Sequence, residues 1–313
     1  MNSFRWMRRG LLVAPGAGLD FYTHASHPCI VHRKNDEFTL IFSMRDLLKR
    51  SHIFTQECQI SSGWIKLNGV AKVVMSPGRM GTFDCEGLLA CSPVEVDDKN
   101  YYFYYSGWNN LTSGLWLCDT GLAQISKATM KFSRLFEGPV MGRSRFNPYF
   151  AAATAVIREK GIFRAWYNSG IDWVLQSDTS YKPKYGIHYA ESENGIDWSF
   201  QKGQVIPFAD QNEHSFGRPT VVHWDDTYHM WFSCRGSNSD PEYKIGYASS
   251  KDGLFWERCD SRCGITLASN EKDFDSKAQS YPYVFEHDEF RYLLYSGNNY
   301  GSTGFGYAVL ISE

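Results

Sequence analysis

Five stretches of this chain share one form, an aromatic alternating run that ends in a small polar turn. They are FTLIFS (38–43), YYFYYSGW (101–108), IFRAWYNSG (162–170), YHMWFSCRG (228–236) and FRYLLYSGN (290–298). Ser43 to Ser106 is 63 residues, and Ser106 to Ser169 is another 63. Gly170 to Gly236 is 66, and Gly236 to Gly297 is 61. A period of this size is the mark of a repeat architecture, in which each unit buries its face only against its neighbours. Five units account for residues 1–313 as a single domain.

Each unit has further matching parts. GIHYAESENGIDW (186–198) and KIGYASSKDGLFW (244–256) align almost residue for residue, and GLWLCDT (114–120) and FGYAVLI (305–311) are weaker copies. Asn194-Gly195 and Asp252-Gly253 are turn signals, each followed within three residues by an aromatic. A last strand begins at that aromatic, from Trp198 and Trp256, with earlier copies from Trp64 and Phe132. A first strand, often holding a Pro, precedes each aromatic run: HPCIVH (27–32), GLLACSPVEV (87–96), FAAATAVI (150–157), RPTVVHW (218–224) and YPYVFEH (281–287). Helical periodicity is absent, apart from a possible single turn at Met44 to Arg50.

The pattern predicts an all-β, five-bladed β-propeller with four-stranded antiparallel blades. The fifth unit stops at Ile311, after its third strand. The fourth-strand pattern instead stands at the other end, as Trp6, Gly10, Leu11-Leu12-Val13 and Pro15. The N-terminal strand is therefore expected to close the last blade, which removes an open edge.

Composition narrows the partners. Lys+Arg (32) nearly cancels Asp+Glu (34), so no nucleic-acid footprint or polybasic membrane patch is expected. No run of about 18 apolar residues occurs, so no membrane span is expected. Leu11 to Ala14 is too short for a signal-peptide core, which points to a cytoplasmic location. The eight cysteines are scattered without a C-x-x-C pair. Cys259 and Cys263 are spaced like half of a zinc site, but no second pair follows at a matching spacing, so buried free thiols are expected. No cofactor and no metal are expected. The 50 aromatics, 16% of the chain, belong mostly to blade packing.

Blades carrying "YxIgYAxSxDGixW" segments, as at 186–198 and 244–256, resemble those of the five-bladed propeller glycosidases, the group of glycoside hydrolase families 43, 32, 62 and 130. The resemblance covers essentially the whole chain. It implies a carbohydrate or sugar-nucleotide substrate in a funnel at the axis, with carboxylates supplied from the starts of the innermost strands. It implies glycosidase-type chemistry on a glycan, a nucleotide-linked sugar or a surface-polysaccharide precursor. Two other readings stay open: a phosphate-dependent phosphorylase or transferase, and a carbohydrate-binding propeller without catalysis. The chain departs from the hydrolase form at two places. His27 stands where family 43 has an Asp before the first Pro, and FAAAT (150–154) stands where an acid is usual. Arg218 agrees with an Arg often found in the fourth blade. Aligning the residue before each inner-strand Pro, or its equivalent, gives His27, Glu86, the Ala152/Ala153 region, Arg218 and Tyr281.

The expected catalytic carboxylates are Glu86 or Asp84 on one side and Glu213 or Asp275 on the other, because glycoside cleavage needs two carboxyl groups about one bond. Asp84 and Glu86 (TFDCEGLL) would face one side if the segment is a strand; the alternative is a turn Asp and a Glu paired with an Arg. Glu213 and Arg218 (EHSFGRP) are a site cluster or an internal ion pair. Asp275 (DSKAQSYP) is a base or a turn cap. His24, His27, Arg218 and Tyr281 are the expected substrate contacts, with His27 alternatively a structural histidine. With Arg79, Arg143 and Arg145, the two histidines could also offer a phosphate site of the family 130 kind. Trp108, Trp173 and Tyr300 follow strand ends, where a ring can stack on a sugar face.

Overall fold

The computed structural model describes residues 3–111, 115–201, 203–237 and 241–312. Twenty strands fall into five antiparallel groups of four. The first is β2 (Tyr22–Lys34), β3 (Glu37–Asp46), β4 (Ser51–Ser61) and β5 (Trp64–Met75). The second is β6 (Gly87–Glu95), β7 (Asn100–Asn110), β8 (Trp116–Ser126) and β9 (Phe132–Arg134). The third is β10 (Ala151–Glu159), β11 (Ile162–Leu175), β12 (Tyr181–Ser192) and β13 (Ser199–Phe200). The fourth is β14 (Ser215–Trp224), β15 (Thr227–Arg235), β16 (Lys244–Ser250) and β17 (Glu257–Arg258). The last is β18 (Ser280–His287), β19 (Phe290–Ser296), β20 (Phe305–Ser312) and the N-terminal β1 (Arg5–Val13). Met44 to Asp46 continues β3 rather than forming a helical turn. Among the described residues no helix is long and apolar enough to cross a membrane. All eight cysteines are free, and six of them are buried.

The first strand of each group is the innermost, and its start marks one end of the axis. Parallel bridges tie the start of a third strand to the start of the next first strand: Ser51 to Gly87, Asp119 to Ala151 and Tyr185 to Ser215. Because strands alternate, every turn from a second to a third strand lies at that same end, here termed the mouth. The second-strand aromatics Phe42, Tyr105, Tyr167, Phe232 and Tyr295 are buried between groups, where each adds about 1.5–3 kcal/mol of burial energy.

A recurring hydrogen bond registers group against group. The backbone N–H of Ala90, Ala153, Tyr281 and His27 donates to Ser43, Ser106, Ser233 and Ser296 respectively, at 2.7–3.1 Å. Each donor sits at a register shift in its inner strand. His27, Ala153 and Tyr281 hold positive φ there, between 52° and 55°, which costs L residues energy and persists only under tight surroundings. Arg218 occupies the corresponding shift in β14.

Candidate functional site at the axial mouth

These hydrogen bonds correct one alignment. The residue of the second group equivalent to His27 and Tyr281 is Ala90, not Glu86. Glu86 precedes β6 and no proline directly follows it, and Pro93 lies beyond the register shift of β6 whereas Pro28, Pro219 and Pro282 lie within theirs, so the second group offers no proline that marks the position.

Three of the four expected carboxylates do not point to the axis. Asp84 is buried and accepts from Arg134 Nε (3.0 Å), the Tyr105 hydroxyl (3.3 Å) and the Thr82 hydroxyl (2.8 Å). Glu213 is held by Arg258 through Nη1 (2.6 Å) and Nη2 (2.9 Å), and also accepts the Ala209 N–H. Asp275 accepts from Arg8 Nε (3.1 Å), Gln279 (2.7 Å) and the Tyr295 hydroxyl (3.0 Å). In each case the arginine lies on the outermost strand of the same group: β9, β17 or β1. These acids are clips that fasten the loop before an inner strand to the rim of its own group. The period-two argument for Asp84 and Glu86 also fails, because β6 begins only at Gly87. Glu86 is half-buried at that start and has no side-chain hydrogen bond among the described residues; its backbone N–H donates to the Trp108 carbonyl (3.1 Å).

Arg218 is likewise no free substrate contact. Its guanidinium is buried and donates to the carbonyls of Ala90 (3.0 Å), Pro28 (2.7 Å), Tyr281 (2.7 Å) and Pro282 (3.3 Å). From the fourth group it ties the first, second and fifth together, and so plugs the axis. Toward the far ends of the inner strands a cavity of about 300 Å³ opens, lined by Ser92, Glu95, Val156, Arg158, Val221 and Tyr283.

On the mouth side several groups converge. His27 stacks on Tyr281 with ring centroids 3.6 Å apart. The hydroxyls of Tyr185 and Tyr243 lie 2.8 Å apart. Tyr243 packs near Tyr281 (6.0 Å) and edge-on to Tyr300 (5.9 Å). The Arg235 guanidinium lies 4.6 Å over the Tyr243 ring and donates to the Tyr300 hydroxyl (2.6 Å). Its Nε is buried and has no partner among the described residues. Arg45 acts electrostatically on His24, His27 and Tyr281. Burial, reinforced by Arg45, pushes His24 down to about 4; burial, then Arg218 and Arg45, holds His27 well below its ordinary value. Both rings are therefore neutral near pH 7 and offer one donor and one acceptor each. His24 Nδ1 lies 3.0 Å from the Thr23 hydroxyl, and His27 Nδ1 lies 3.0 Å from the Ser26 hydroxyl.

The expected rim tryptophans are placed by their own contacts. The Trp108 indole donates to Ser51 (3.0 Å), bridging the second group to the first. Trp173 meets Trp116 edge-on at 5.5 Å, and Trp116 in turn packs on Phe150 and Tyr185.

Sequence reasoning missed Arg45, Arg235, Tyr185, Tyr243 and Asp119. Asp119 is the one buried carboxylate without an ion pair among the described residues. Its Oδ1 accepts the Ala151 N–H at 3.4 Å. Burial pushes its carboxyl up to about 6, opposed by that N–H and by Arg143. The signal was present in LWLCDT, where an acid stands at the strand position of Tyr185 and Lys244 in the other copies.

No family model matches the sequence. An uncharacterized protein of Mycobacterium tuberculosis strain H37Rv (Rv1502) is 34% identical over 306 residues, covering 97% of this chain and 99% of the relative. The chain belongs to the family of that mycobacterial protein. A 1,2-β-oligomannan phosphorylase of Thermoanaerobacter sp. (strain X514) is 28% identical over 153 residues, 46% of this chain and 48% of the phosphorylase. Among solved structures, a glycosyl hydrolase from Bacteroides ovatus superposes with a TM-score of 0.74 at 12% identity, over 98% of this chain and 94% of that one. The fold is that of the β-propeller glycoside hydrolases, in a divergent sequence.

Proposed function

We propose that the five groups are the blades of a five-bladed propeller enzyme that cleaves or forms a glycosyl bond in the axial mouth. The observation that carries this reading is the convergence of His27, Tyr185, Arg235, Tyr243, Tyr281, Tyr300 and Arg45 from four groups on one end of the axis. Stacked rings with polar edges suit a sugar, whose C–H faces are apolar and whose hydroxyls need partners. His24, Trp108 and Trp173 extend the same wall. Glu86 is the catalytic carboxylate of this reading, because its half-buried side chain has no hydrogen bond or ion pair among the described residues.

The nucleophile best supported is phosphate. Hydrolysis in the inverting mode needs one carboxyl to protonate the leaving oxygen and a second to activate water. Among the four expected carboxylates Glu86 stands without a second, since Asp84, Glu213 and Asp275 are committed to arginines, and the Asp119 carboxylate accepts the Ala151 N–H. Phosphate is already anionic and needs cations rather than a base; Arg45 and Arg235 supply them. In that reaction a phosphate oxygen bonds to the anomeric carbon. The carbon–oxygen bond to the leaving sugar breaks, its electron pair stays on the leaving oxygen, and Glu86 supplies the proton. The partial likeness to an oligomannan phosphorylase supports the same reading.

The test is incubation of β-1,2-linked manno-oligosaccharides, aryl glycosides and sugar nucleotides with and without phosphate. Phosphate-dependent release of a sugar 1-phosphate is the expected result. Phosphate-independent release of free sugar would favour hydrolysis, and ligand binding without turnover, unchanged by Glu86→Gln, would favour a carbohydrate-binding propeller.

A further inference from the structure

We propose that the mouth end of the molecule docks on an anionic lipid surface, with large apolar side chains of the first three groups as anchors. Phe21 (69% exposed), Leu47 (67%) and Leu48 (73%) stand together on the first group, because Tyr22 pairs with Asp46. Met80, 90% exposed, stands on the loop before β6. Val174, Leu175 and Tyr181 are exposed on the third group, where β11 and β12 run on as a two-stranded arm from Gly170–Tyr185 to Leu175–Tyr181. All of these positions lie on loops, turns or strand ends of the mouth end.

The anchors are held outward by structure beneath them. Asp46 accepts the N–H of Leu48 and of Arg50, both at 2.9 Å, and also binds the Arg50 guanidinium. That fixes the turn and keeps Leu47 and Leu48 in solvent. Ordered apolar side chains held in water cost free energy that insertion into the acyl boundary returns. They form separate projections on three groups rather than one continuous groove. Separate tips suit a fluid surface better than a rigid complementary one.

Charge sets the orientation. The five turns between first and second strands, at the opposite end, carry Asp36, Asp97, Asp98, Asp225, Asp226, Asp288 and Glu289 against Lys99 and Lys160. The apolar tips carry Lys49 and Arg50 beside Leu47 and Leu48, Arg79 beside Met80, and Lys182 and Lys184 beside Tyr181, with Asp20, Asp46, Asp172 and Asp178 as the nearby acids in sequence, so the tips are close to charge balance. An anionic bilayer repels the first set and tolerates or attracts the second, so the mouth turns toward it. At the opposite end Trp64, Ile311 and Phe255 are the exposed large apolar side chains on turns or strand ends, and Phe255, on the turn between β16 and β17, serves as the control.

The full chain is mixed at low salt with sedimentable vesicles of phosphatidylcholine alone or of phosphatidylcholine with phosphatidylglycerol. Co-sedimentation with the mixed vesicles is expected. The Leu47→Ser/Leu48→Ser/Leu175→Ser variant loses binding by about tenfold or more, as buried apolar area sets such affinity. Lys49→Glu/Lys182→Glu loses the preference for the anionic lipid, and Phe255→Ser binds normally. Melting curves check that all variants are folded. No sedimentation of the wild-type chain, or equal sedimentation of the triple-serine variant, overturns the proposal. So does a concentration-dependent dimer that the triple-serine variant abolishes, which assigns the tips to a second copy of the chain. None of these readouts requires turnover, so they stand apart from the reading of the mouth as a glycosyl site.

Discussion

Asp119 and Asp84 are both buried aspartates of the second group, and their surroundings are opposite. Asp84 has Arg134 paired against it, while Asp119 has backbone N–H groups and the more distant charge of Arg143, and no ion pair among the described residues. Asp119 therefore reaches its charged state with difficulty, near pH 6. Between its unfolded value near 4 and that folded value the native state binds the extra proton, so stability falls as pH rises through this window. The difference of about two units corresponds to about 3 kcal/mol. Asp119→Asn removes this fall, and urea melts at pH 4.5 and 7 measure it. His24, His188 and His229, held near 4 chiefly by burial, act with the opposite sign: their stabilisation is present above about 6.5 and is lost as pH falls toward 4. With Asp119→Asn the pH profile should therefore rise monotonically from 4 to 7. A second prediction separates clips from chemistry. Asp84→Asn and Asp275→Asn each leave an arginine without its buried partner and should cost about 3–5 kcal/mol in denaturant melts. Glu86→Gln, at a half-buried position without side-chain bonds, should change stability by less than about 0.5 kcal/mol while lowering turnover by about 100-fold or more.

The strands were the most legible part of the chain. The aromatic runs fix the second strand of every group, because the ring before or near each terminal serine must pack between groups in the same place each time. The outer strands were legible in place but not in length: β5 runs 12 residues, whereas β13 and β17 run two each. The site was much less legible. Which way an acid points depends on loop conformation, and 82–86 is loop, so alternation carried no information for Asp84 and Glu86. Arg45 and Arg235 lie at or near second-strand ends, where the repeat pattern dissolves and composition is free to vary. Arg218 read as a ligand contact because sequence reports a charge and not its partners. Its four carbonyl bonds predict that Arg218→Met, which strands those acceptors at the junction of inner strands, lowers unfolding free energy by about 3 kcal/mol or more. Thermal and urea melts check this, and rescue by Lys should be partial because one ammonium cannot span the same set of oxygens.

For the whole molecule, the pairing of β1 with β20 matters most. Arg5 lies opposite Ser312 and Val13 opposite Phe305, and Trp6 and Phe4 pack against Trp231 of the neighbouring group. Removing residues 1–13 should leave β20 as an exposed apolar edge and yield aggregates rather than a smaller soluble domain, which light scattering after refolding would reveal. The same seam has a consequence in time. The earliest of the twenty strands to leave the ribosome completes a sheet with the latest of them. At about 5–20 residues per second, β1 waits roughly 15–60 s for its partner. During that interval Phe4 and Trp6, buried in the finished molecule, are without their final shelter. Production in a living cell should therefore depend on holdase chaperones more than the stability of the finished molecule suggests, and a circular permutant that joins the ends across the seam should shed that dependence.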